Sequence, residues 1–180
     1  FMEQSIHEVN ALEKGLVKIY CGETRGKTTL AMGRAVMKIS AGKVVYVIQF
    51  LKGRMDESLD CLRRLEPELK IFRFEETDRV YEDLDDQMKL EENQNILNAM
   101  NFARKVLSVG ECDVLVLDEI LKLVDYHIIE VEDIIKLIEK KPDYMEMILT
   151  GVNLPKELEA YADYISRIDV IKDVTMNEDH

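Results

Sequence analysis

Residues 22–29 read Gly-Glu-Thr-Arg-Gly-Lys-Thr-Thr. A polyphosphate chain is a dense negative charge, best held by converging backbone N–H groups with a helix N-terminus behind them. Gly22 and Gly26 let the backbone approach such a ligand closely. Lys27 is expected to reach the outer phosphates as a point charge. Thr28 would offer its hydroxyl to Mg2+, and Thr29 would donate to an inner phosphate. Glu23, Thr24 and Arg25 complete the expected nucleotide-binding loop. The usual spacing is G-x-x-x-x-G-K-[ST]; here Gly22 lies one residue nearer Gly26, and Cys21 stands where the first glycine usually falls. The alternative is a chance Gly-Lys-Thr-Thr on a surface turn. Context argues against it, because an apolar β-type run (16–20) precedes the loop and a helical pattern (27–39) follows.

A second set of candidates closes the most apolar stretch of the chain, Val-Leu-Val-Leu-Asp-Glu at 114–119. A strand through the core would deliver Asp118 and Glu119 to the carboxyl edge of a sheet, where open α/β folds bind ligands. Acids there hold Mg2+ or order a water beside the phosphates, so Thr28, Asp118 and Glu119 are the expected metal ligands. The competing reading is a plain helix cap. Gln49 and Lys52 end another apolar strand, with Lys52 directed at a phosphate, at an acidic substrate side chain or at solvent. Asn153 follows a further strand end, and an ordinary turn explains it equally well. Cys21 reads as a small buried residue, and His127 as a lone histidine without a catalytic role. Met32, Met37 and Met100 read as core filler.

Positioning these residues calls for strands at 16–20, 44–50, 69–74, 114–117, 145–149 and 165–171. Helices are expected at 3–13, 27–39, 58–65, 85–109, 131–140 and 155–161. Ile96, Met100, Ala103 and Leu107 would face inward from the long helix, and Ile134, Leu137 and Ile138 from the next. Residues 51–57 read as a polar loop, and the acidic stretch 75–86 as exposed. Strands that are apolar throughout, alternating with helices, predict a mostly parallel α/β sheet covered on both faces. One domain accounts for the 180 residues, with 1–14 as an N-terminal helical arm.

Composition narrows the partners. Net charge is −12, so nucleic acid is a poor partner. Three cysteines without paired spacing exclude a disulfide framework and suit a cytoplasmic location. No apolar run suggests a membrane span.

Taken in order, YCGETRGKTT, GKVVYVIQFLKG, VLVLDEILKLVDYHII and ILTGVNLPKELEAYADYIS resemble the ATP:corrinoid adenosyltransferases over roughly residues 15–173. That family's short loop, T-G-[DN]-G-x-G-K-T-T, is matched at Gly22, Gly26, Lys27, Thr28 and Thr29, and departed from at Cys21, Glu23 and Thr24. The resemblance implies a RecA-like P-loop fold, often dimeric, and Mg-ATP used with triphosphate as the leaving group. The 5′-deoxyadenosyl group passes to a Co(I) corrinoid. Lys27, Glu119 and Lys52 would then assist the departing triphosphate. Met37 and Val152 stand where the family has arginines, Arg167 lies near a usual acid, and the family's A-G-x-x-A-Q-x-G-I segment is not found. The nucleotide side is thus matched more fully than the corrinoid side. A non-catalytic ATP-binding module derived from the family is the alternative reading.

Overall fold

The computed structural model describes residues 14–52 and 59–175. The expected helix at 3–13, most of the N-terminal arm and most of the loop at 51–57 lie outside these residues. Six strands form one parallel sheet: β1 (Val17–Cys21), β2 (Val45–Gln49), β3 (Leu69–Arg73), β4 (Val114–Asp118), β5 (Glu146–Thr150) and β6 (Tyr164–Arg167). Their spatial order is β3-β2-β4-β5-β1-β6. Among the described residues, four helices follow in chain order: α1 (Lys27–Ser40), α2 (Asp86–Val109), α3 (Ile120–Asp125) and α4 (Val131–Lys140).

Side-chain alternation explains why the central strands are apolar on both faces. Val114 and Val116 of β4 pack with Ala31, Met32 and Ala35 of α1. Leu115 and Leu117, pointing the other way, pack with Ile96, Met100 and Leu107 of α2 and with Ile134 and Leu137 of α4. The inward residues expected on α2 and α4 are all buried. α2 begins where the Asp85 carboxylate accepts the Met88 N–H and ends at left-handed Gly110. α4 opens with a reciprocal capping box between Glu130 and Asp133. At the amino edge of the sheet, buried Glu146 is paired with Lys18 at 2.7 Å and Lys38 at 3.1 Å, which offsets the cost of burying it.

Several expectations are corrected. The segments expected as helices at 58–65 and 155–161 contain short 3-10 turns, Asp60–Leu65 and Lys156–Ala160. The latter links two neighbouring regions of sheet over few residues and buries only Leu158. β6 is shorter than expected. Its partner β1 ends at Cys21, whose carbonyl takes the Ile168 N–H, and no strand remains beside residues further on. Glu75 is buried rather than exposed, and Tyr81–Asp83 forms a 3-10 turn. Met37 lies on the outer face of α1, 68% exposed, so it fills no core. Met32, Met100 and Cys21 are buried as read.

Candidate functional site

Because every strand is parallel, all six carboxyl ends share one edge, and the polar candidates gather there. β1 runs into the loop through Gly22 (φ 127°) and Gly26 (φ 110°). A Cβ on Gly22 would sit 2.5 Å from the Ile168 carbonyl oxygen, so conformation and packing both demand glycine. The loop is tied down from two neighbours. Gly22 N–H donates to the Val152 carbonyl at 3.0 Å, and the Thr24 hydroxyl donates to the Ile168 carbonyl at 2.9 Å.

Lys27 opens α1 with its stem buried. Its ammonium donates to the carbonyls of Gly22 and Thr24, each at 2.8 Å. A cation is therefore held inside the loop by backbone dipoles. Thr28 faces inward beside it, whereas Glu23, Arg25 and Thr29 are exposed on the loop and first helical turn.

Asp118 ends β4 and is fully buried. Its Oδ1 accepts from the hydroxyls of Thr28 and Thr150, both at 2.8 Å. Its Oδ2 accepts from Gln49 Nε2 at 3.1 Å. Gln49 Oε1 in turn accepts from Arg73 Nε at 2.7 Å. The strands on either side of β4 thus each contribute a donor, and the phosphate-type loop supplies the third. Such charge-assisted bonds let a carboxylate remain buried.

The next residue, Glu119, adopts the left-handed region (φ 66°) and caps α3. Its N–H donates to Thr150 Oγ1 at 2.8 Å. Burial, then the Asp118 charge, push its carboxyl up, while Lys27, Lys52 and Lys122 oppose that rise. Lys52 follows Leu51, whose φ of 57° turns the chain sharply after β2. Asn153 donates to Asp125 Oδ2 at 3.1 Å and, with Gly22, Glu23, Thr24, Arg167 and Asp169, lines a cavity of about 460 Å³. His127 is exposed beyond α3, away from this network.

Among the described residues, no three His, Cys, Asp or Glu side chains converge into a metal-binding group. Thr28 and Asp118 instead offer a hydroxyl and a carboxylate side by side. Hard oxygens of this kind fit Mg2+, which takes one or two protein ligands and completes its shell with phosphates and water.

Thr150, Arg73, Glu75 and Glu92 were not expected to matter here. Thr150 carried a visible signal: a hydroxyl at a strand end, followed by Gly151, where a Cβ would meet Leu121 Cβ at 2.3 Å. Glu75 opens the acidic stretch 75–86 that reads as exposed, and Glu92 is one of several polar residues on the expected long helix. Both are buried, with one oxygen of each lacking a hydrogen-bond partner among the described residues.

Glu75 yields a test of stability against pH. Burial foremost, opposed by the Leu51 N–H and aided by the Glu92 charge, pushes its carboxyl from 4.5 up to about 6. The folded protein therefore binds this proton more tightly than the unfolded chain. Its contribution is complete below the ordinary carboxylate range and is lost as pH rises through about 6, a swing of about 2 kcal/mol. Glu75→Gln has no such slope. Denaturant melts at about pH 4.5 and about pH 7.5 should show the variant gaining on the wild type at the higher pH by about 1–2 kcal/mol. Parallel pH dependences in the two proteins would contradict this account.

Comparison with known proteins adds an independent line. The profile of the family described as ATP:corrinoid adenosyltransferase BtuR/CobO/CobP matches residues 13–179. The corrinoid adenosyltransferase of Escherichia coli strain K12 is 27% identical over 160 residues, spanning 89% of this chain and 79% of its own length. The corrinoid adenosyltransferase CobA of Salmonella typhimurium is 28% identical over 160 residues, with the same 89% and 79% coverage. Among solved structures, the flagellar accessory protein FlaH from Methanocaldococcus jannaschii aligns with a TM-score of 0.61 at 16% identity, covering 89% of this chain and 74% of its own. That last likeness concerns the fold alone, which is α/β and RecA-like.

Proposed function

Because the chain belongs to the ATP:corrinoid adenosyltransferase family, we propose that it binds Mg-ATP on residues 22–29 and transfers the 5′-deoxyadenosyl group to a Co(I) corrinoid. The observation that carries this reading is the junction of Lys27, Thr28 and Asp118 at one sheet edge. In the reaction, a cobalt–carbon bond forms at the ribose 5′ carbon. The carbon–oxygen bond to the triphosphate breaks, and the triphosphate leaves with the electron pair.

Co(I) is already a strong nucleophile, so the protein's task is alignment and stabilisation of the leaving group. In this reading, Lys27 exchanges its two carbonyl partners for phosphate oxygens. The amides of the loop and of the first turn of α1 surround the same oxygens. Thr28 and Asp118 would hold Mg2+, with Glu119 completing the shell through water. When bound, the ion neutralises charge on the phosphates. Lys52 faces the departing triphosphate from the end of β2. Gln49 and Thr150 keep the Asp118 carboxylate oriented, and Asn153 borders the cavity beside the loop.

One observation favours a second reading, a module that binds ATP without transferring its adenosyl group. The turn beside the loop presents Val152 where the family places an arginine, and Met37 similarly offers no charge. The discriminating experiment is anaerobic incubation with ATP, Mg2+ and chemically reduced cobalamin. The expected result is the absorbance change of a new cobalt–carbon bond, with triphosphate released only when the corrinoid is supplied. Saturable ATP binding with no product, even at high protein concentration, would select the second reading.

A further inference from the structure

Leu51 is a leucine held in a backbone region that side-chain-bearing residues seldom adopt, and it directly precedes Lys52. Its N–H donates to Glu75 Oε1 at 2.8 Å. Glu75 lies just beyond β3, in a segment anchored in turn to α2. There Glu92 Oε1 accepts the N–H groups of Glu76 and Thr77, each at 3.2 Å. Both carboxylates are more than nine-tenths buried, and with Leu51, Lys52, Arg79 and Tyr81 they border a small cavity of about 20 Å³. That is room for about one water molecule. The Lys52 charge also opposes the rise of the Glu119 carboxyl.

We infer that Glu75 is a positioning residue, whose carboxylate holds the left-handed turn at Leu51 and so sets the position of Lys52, the residue that follows the turn. This rests on the proposed function, in which Lys52 faces the departing triphosphate. A leucine has no intrinsic preference for this conformation, so an external acceptor must fix it. Without that acceptor the half-buried Leu51 amide loses its partner, and the chain relaxes toward an ordinary conformation that carries Lys52 elsewhere. Glu92 supports the arrangement by keeping the Glu75 segment on α2.

The test is a double-mutant cycle read on adenosyl transfer. Glu75→Ala and Lys52→Ala should each lower kcat on the order of tenfold, leaving the Mg-ATP Kd within about twofold. The double variant should fall no further than Lys52→Ala, because the two residues act through one group. Glu75→Gln keeps an acceptor oxygen and should retain kcat within about twofold. Losses that multiply in the double variant would overturn the inference, as would an unchanged kcat in Glu75→Ala. Should Glu75→Ala unfold, Glu75→Leu fills the same volume and carries the same expectation. The Lys52 side-chain NMR signal, assigned through Lys52→Arg, gives a readout independent of activity. It should move in Glu75→Ala and stay in Glu75→Gln; a signal that stays in both overturns the inference. Absence of transfer by the wild type would count against the proposed function, while the NMR comparison would still decide the role of Glu75.

Discussion

Replacing Lys27 by alanine should weaken Mg-ATP binding on the order of 100-fold while leaving the fold intact. A hydrogen bond to a charged group contributes about 1.5–3 kcal/mol, and about 2.7 kcal/mol is a hundredfold in affinity. The Lys27 ammonium sits inside the loop within reach of both carbonyls that shape it, so its loss removes the strongest local charge. The penalty to folding is smaller, about 1–2 kcal/mol, because the Thr24 carbonyl it leaves behind is only part-buried and the buried Gly22 carbonyl loses a single partner. Lys27→Arg should recover only part of the affinity. A planar guanidinium is larger and does not substitute for a compact ammonium in a tight ring of backbone oxygens. Isothermal titration calorimetry with Mg-ATP checks the series, and thermal melts check the fold. Affinity unchanged by Lys27→Ala would remove the basis of every nucleotide-centred reading of this chain.

The second large effect belongs to Asp118. Asp118→Ala leaves the hydroxyls of Thr28 and Thr150 and the amide of Gln49 without their acceptor, and of these Thr150 and Gln49 are fully buried while Thr28 is half-buried. Unsatisfied buried donors cost about 1–3 kcal/mol each, with partial relaxation between neighbours. A loss of about 3–4 kcal/mol in stability is expected, large for a single substitution. Asp118→Asn keeps the volume and one acceptor oxygen, so it should fold with a loss of only about 1–2 kcal/mol. Adenosyl transfer should nevertheless fall by at least about 100-fold in the asparagine variant, because the neutral amide cannot serve as an anionic oxygen ligand. Folding measured by denaturant and transfer measured at saturating ATP separate the two effects. An asparagine variant with wild-type turnover would remove Asp118 from the chemistry and leave it a structural role.

The phosphate-type loop and the strands around it were legible in the sequence for a physical reason. Val114–Asp118 and Glu146–Thr150 are buried on both faces, so both sets of alternate residues must be apolar, and the runs stand out. The loop was legible because glycine at 22 and 26 is forced by backbone conformation. What escaped notice depends on partners distant in the chain. Thr150 is an ordinary strand-end threonine until β5 lies next to β4. Glu75 looks like a member of a solvated acidic run and Glu92 like one polar residue of a long helix, until the β3–α2 connection binds Leu51 through Glu75 and α2 through Glu92. Composition alone cannot mark one glutamate of several as the buried one. The end of β6 was misplaced for a similar reason: Val170 and Ile171 have strand-like side chains, but a strand needs a neighbour, and β1 has already turned away.

β1, the first strand described, is flanked by β5 and β6, the last two. Thr24 rests on Ile168, 144 positions further along, and Thr28 meets Asp118 across 90. During synthesis, the Gly-Lys-Thr-Thr segment therefore emerges long before the strands that shape it. A nascent chain carries these residues without a cradle until the strand ending at Arg167 has left the ribosome. Ligand capture is then a readout of completed folding, since nucleotide can stabilise only the finished sheet.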